Sequence, residues 1–296
     1  MKRRHFYLGI IALASSSLIV SCGGDGDDDV NEIHMEDTLT NVEDPNALEV
    51  EYAVPTPNEL FEIVKLQGGE QKPGLVNSLD NRGNYVGTKE KALNFGVYSA
   101  DLAYMSCFGI GTEFLMYMKA IEEMGDELGI AGAFDEDLMD RIENNEGDSD
   151  SLFAISNETY YDSYLYLEEN GKGVELSLIM GAGYIESLYI VCNLVDKYKE
   201  HDPIVEKIGD QKLVLENLME FIAAYSDDEG VQEMTNDLLS LQEVFEMTMD
   251  FEESGTNVDN NEGKLVLSGG GKFKMNEKAL KDITAKVTEL RDNIIK

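Results

Sequence analysis

The chain has 296 residues, with 59 Asp and Glu against 23 Lys and Arg, a net charge of −36, 43% hydrophobic residues and no Trp. That apolar content supports one sizeable core or two small ones and excludes a chain disordered throughout. The charge argues against nucleic acid as a partner, because phosphates are met by clustered Lys and Arg.

The sequence opens on Lys2, Arg3 and Arg4, followed by an apolar and small-residue run from Phe6 to Val20. A positive start and a run too short for a comfortable membrane span form the pattern of an export signal, here residues 1–21. The run ends in Leu18-Ile19-Val20-Ser21-Cys22. These residues resemble the lipobox of bacterial lipoproteins: aliphatic residues, a small residue, then cysteine. The resemblance implies cleavage before Cys22, a diacylglycerol on its sulfur and usually acylation of its amine. Several acyl chains, palmitate among them, give durable anchoring, so the membrane is an expected partner. Gly23 to Asp29 is glycine-rich and acidic. It resembles the export signal that sends lipoproteins of the Bacteroidota type to the cell surface; the alternative is a solvated spacer at the inner leaflet of the outer membrane. The expected location is therefore the outer membrane, lipid-anchored and facing outward.

Residues 22–54 hold eleven acids and no Lys or Arg. Like charges repel, which predicts an extended, disordered tether. Pro55 and Pro57 mark its end, and residues 55–296 are expected to form one helical domain. Helices are predicted over Asn58–Leu66, from an N-cap at Thr88 to about Cys107, and over Thr112–Leu128. A short one capped by Asp135 runs to Asn144, and others cover Ser151–Asn170, Val174–Glu200 and Pro203–Tyr225. Val231, Met234, Leu238, Leu241 and Phe245 step by three and four, as do Leu280, Ile283, Val287, Leu290 and Ile294. Each set forms one helical stripe. The predicted fold is an all-α multi-helix bundle, with one short strand or hairpin, or simply a loop, at Lys264–Ser268.

Two nearly uncharged runs carry the candidate site. Ala92–Thr112 contains a single charged residue, Asp101, and Leu176–Val195 a single one, Glu186. Helices this apolar bury most of their circumference, so both acids are expected to face the interior, partnered or protonated. Tyr98, Tyr104, Tyr184 and Tyr189 lie nearby in sequence. One reading makes the six residues a ligand pocket, or the acids a metal site; the other makes the acids structural, hydrogen-bonded or turned to solvent. Leu176–Val195 has the length of a membrane span, but its polar residues favour a central bundle helix, with Gly181 and Gly183 permitting close packing. Cys107 and Cys192, in the same two runs, are either a disulfide or two free buried thiols.

Other chemistry finds little support. His5, His34 and His201 form no metal or serine-hydrolase motif, and three cysteines make neither a disulfide scaffold nor a structural zinc site. No metal or cofactor is expected. Acidic clusters at Asp25–Asp29, Asp148–Asp150 and Asp259–Gly263 read as solvated surface rather than calcium sites. Residues 264–296 hold eight Lys and Arg against four acids, so the last helix is expected to dock on the acidic body. Beyond the lipobox the chain is similar to helical lipoproteins of the same bacterial group, a resemblance that implies no activity. The expected function is a lipid-anchored binding or scaffold protein of the envelope, whose partner is another envelope protein or a small ligand. The alternatives are a carboxylate-based hydrolase and an accessory ligand-binding lipoprotein of an outer-membrane uptake system.

Overall fold

Two helices, each with a long and nearly uncharged run, lie in the middle of the domain. In the computed structural model, α2 is Thr88–Ser106 and α6 is Gly173–Leu194, and every α2 residue from Ala92 to Ser106 is buried. A helix apolar on all sides is stable only when other helices surround it. Here α1 (Pro57–Gln67), α3 (Gly111–Leu128) and α5 (Ser149–Glu169) pack on α2. Helices α7 (Pro203–Ala223), α8 (Glu229–Thr248) and α9 (Glu277–Ile294) pack on α6, and the short α4 (Leu138–Asn144) joins α3 to α5. The structure describes residues 56–67, 71–72, 74–108, 111–134, 137–252, 257–261, 264–268 and 272–296. The expected signal segment, Cys22, the tether of residues 22–54 and the expected cap Asp135 lie outside them.

The described part is an all-α multi-helix bundle with two small two-stranded sheets. Strands β1 (Asp250–Glu252) and β4 (Lys272–Lys274) pair antiparallel, as do β2 (Asn257–Asn261) and β3 (Lys264–Ser268). The alternating segment Lys264–Ser268 is therefore a strand. Only α6 among the described helices is long and apolar enough to cross a membrane, and 83% of its most apolar window is buried inside the bundle.

Close approach of α2 and α6 depends on two glycines facing each other. A Cβ on Gly96 would lie 2.1 Å from the carbonyl oxygen of Ile179, and one on Gly183 would lie 3.3 Å from the carbonyl oxygen of Gly96. Gly181 faces α8 instead, where a Cβ would meet the Met234 sulfur at 2.5 Å. Packing thus accounts for both glycines of the α6 run.

The amphipathic stripes do what their spacing predicts. Val231, Met234, Leu238, Leu241 and Phe245 are all buried, as are Leu280, Ile283, Val287 and Leu290. Several helix ends differ from expectation. Thr88 is the first residue of α2 rather than its cap; Gly87 takes the extended capping conformation, φ −78° and ψ 158°. Helix α5 starts two residues early because the Asp148 side chain accepts from the N–H groups of Asp150 and Ser151. Helix α6 stops at Leu194, not Glu200: Val195 is extended, and the Lys72 ammonium caps the Asn193 carbonyl at 2.9 Å.

Candidate functional site

The packing of α2 against α6 brings Asp101 and Glu186 together, both with no exposed surface. Glu186 is held by Arg291 of α9. The guanidinium Nε lies 3.0 Å from Oε2 and Nη2 lies 3.3 Å from Oε1, a fork that matches the carboxylate plane. Nη2 also donates to the Leu75 carbonyl at 3.3 Å, and the guanidinium carbon sits 4.6 Å from the Tyr189 ring centre. Arg291 is 8% exposed, so the ion pair is a buried one.

Asp101 is the other half of the pair. Its Oδ2 accepts from the Asn77 N–H at 3.0 Å, and its Oδ1 is fully buried without a donor. An ionised carboxylate in that setting is costly. Burial, and then the charge of Glu186, push the Asp101 carboxyl well above the ordinary range, which favours its protonated form. A protonated Asp101 would be a donor, and Glu186 is the neighbouring carboxylate that would accept it. Burial raises Glu186 as well, with Arg291 pulling against it. Burial works against the charge on Arg291, but Glu186 outweighs it. The cluster therefore sets two buried carboxyls against one guanidinium.

A polar network extends from this cluster to the end of the chain. The Asn77 carbonyl accepts from the Tyr117 hydroxyl at 2.6 Å, and its side-chain amide donates to the Tyr85 hydroxyl at 3.0 Å. Tyr85 in turn donates to the Ile295 carbonyl at 3.4 Å, while Asn94 donates to the Ile294 carbonyl at 3.1 Å. The segment from Leu75 to Tyr85 is thus tied to α2 on one side and to the last turn of α9 on the other.

Of the six residues read as a site, Asp101, Glu186, Tyr98 and Tyr189 gather around this cluster. The Tyr98 hydroxyl donates to the Ser78 carbonyl at 3.0 Å rather than to an acid. The other two are engaged elsewhere. Tyr104 accepts from the Lys72 N–H at 2.9 Å between the rings of Phe61 and Phe108, and Tyr184 donates to the Gln211 carbonyl at 2.9 Å. Cavities open among the described helices. One of about 240 Å³ is lined by Lys89, Leu93, Met234, Asp237, Ile294 and Lys296 among others; another, about 10 Å³, lies between α2, α3 and α5. Asp101 and Glu186 line neither.

Sequence reasoning missed Arg291 and Asn77. Arg291 stands four residues after Val287 and three before Ile294, in phase with the apolar stripe of α9, and that position was the available signal. Asn77 sits in an irregular segment with no period to place it. Cys107 and Cys192 are free and buried. The Cys107 thiol points to the carbonyls of Phe61 and Ala103, and Cys192 faces Thr284 of α9. Asp148 caps α5 and Asp150 pairs with Lys65 at 2.5 Å, so that acidic cluster already has partners. No cluster of three metal-ligating side chains occurs among the described residues.

No family model, curated protein or solved structure matches the chain.

Proposed function

We propose that the chain is a lipid-anchored helical binding or scaffold protein of a bacterial outer membrane, presented at the cell surface. The observation that carries this reading is the order Lys2-Arg3-Arg4, apolar run, Leu18-Ile19-Val20-Ser21-Cys22, acidic stretch. Acyl chains on Cys22 would hold the protein at the bilayer, and repulsion along the acidic tether would hold the helical body away from it. The body supplies a rigid surface whose partner is another envelope protein or a small ligand. A carboxylate-based hydrolase would need Asp101 and Glu186 to touch substrate. Their full burial and their hydrogen bonds to Asn77 and Arg291 favour the binding or scaffold role instead.

The test is incorporation of a clickable palmitate analogue during expression in a lipoprotein-processing bacterium, followed by protease treatment of intact cells. Label on the wild type, none on Cys22→Ser, and digestion of the body on intact cells are expected. An unlabelled wild type would remove the anchor from the account, and a labelled but fully protected body would place it on the inner leaflet.

A further inference from the structure

We propose that the proton shared between Asp101 and Glu186 is a lock on the C-terminal helix, so that rising pH loosens α9 and the segment from Leu75 to Tyr85 together. The geometry leaves Asp101 no other arrangement. Its Oδ1 is buried and has no donor, its Oδ2 is taken by the Asn77 N–H, and both Glu186 oxygens are occupied by Arg291. With the proton present, Asp101 donates to Glu186 and the cluster is neutral overall. Without it, two carboxylates with no exposed surface face one guanidinium.

Every element around the pair contributes to this balance. Helix α6 presents Glu186 and Tyr189, and α9 presents Arg291, with Asp292 on its exposed side. Helix α3 presents Tyr117, α2 presents Tyr98 and the irregular segment presents Tyr85; burial pushes these three hydroxyls upward, so they stay neutral. Arg291 is thus the single positive charge among these groups, enough for one carboxylate and not for two.

The direction follows from linkage. A carboxyl raised by folding binds its proton more tightly in the closed state, so its contribution is complete below the ordinary carboxyl range. It declines as pH rises and is lost once pH passes the raised value. Opening α9 takes Arg291 away from Glu186, and with it go the carbonyls bonded by Tyr85 and Asn94.

Hydrogen exchange of α9 amides in the mature protein, corrected for intrinsic base catalysis, tests the lock. The opening constant of the wild type should rise with pH by up to roughly tenfold per unit, the limit for one proton. Asp101→Asn offers an acceptor to Asn77 and a donor to Glu186 while removing one of the two raised carboxyls, and should make the profile shallower. Infrared difference spectra of the folded wild type at neutral pH should also show a protonated carboxyl band that Asp101→Asn lacks. Identical pH profiles for the two proteins, or no such band, would overturn the lock.

Discussion

Arg291 of α9 grips Glu186 of α6 through two hydrogen bonds, 3.0 Å from Nε and 3.3 Å from Nη2. This contact joins a basic C-terminal segment to the acidic body at a point where both charges are hidden from water. Long-range attraction between the two parts is screened by salt, whereas a buried pair is screened much less. Docking of α9 therefore rests on a buried stripe and one specific fork rather than on net charge.

Gly96 sets how closely α2 and α6 approach. Replacing it with Ala would place a methyl group 2.1 Å from the Ile179 backbone oxygen, which cannot move without shifting α6. The gain in helix propensity, about 1 kcal/mol, is outweighed by overpacking of about 1–3 kcal/mol or more. The nearest atoms to a methyl group in Gly181→Ala belong to the Met234 side chain rather than to backbone, so this change should cost less. Urea unfolding of the two variants should rank Gly96→Ala as the less stable; the reverse order would contradict the close approach.

Burial pushes the thiols of Cys107 and Cys192 up to about 12, so little thiolate exists near neutral pH. In a Cys22→Ser protein, both should resist a thiol reagent at pH 8 in the folded state, and both should react once urea unfolds the chain. Rapid labelling of either in the native protein would show that the surrounding helices open readily. Recovery of fewer than two thiols after unfolding without reductant would show that the pair had formed a disulfide.

The bundle was legible where burial follows a period. The stripes of α8 and α9 repeat every three to four residues, and the nearly uncharged runs of α2 and α6 announce central helices. Helix α6 ended earlier than its sequence suggests because its cap is Lys72, far away in the chain and invisible to local pattern. Asp101 and Glu186 stood out as lone acids in apolar runs. Their partners did not: Asn77 contributes a backbone N–H, which every non-proline residue has, and Arg291 is one of many cations until the phase of α9 is considered. Tyr104 and Tyr184 belong to the same apolar helices but point to other neighbours, Lys72 and Gln211. Proximity in sequence to a buried acid does not place a side chain on the same helix face.

The most direct test of the closed, structural acid cluster is a double-mutant cycle on its ion pair, measured by urea unfolding at pH 7 with Glu186→Gln, Arg291→Met and the double variant. Each single replacement leaves a buried charge without its partner and should cost about 3–5 kcal/mol. The double variant, which leaves no unpaired charge in the cluster, should be more stable than the sum of the two losses allows, by roughly 1–3 kcal/mol of coupling. Single variants within about 0.5 kcal/mol of the wild type, the range of ordinary surface substitutions, would contradict the account. So would losses that simply add, because they would mean that Glu186 and Arg291 do not close the bundle together.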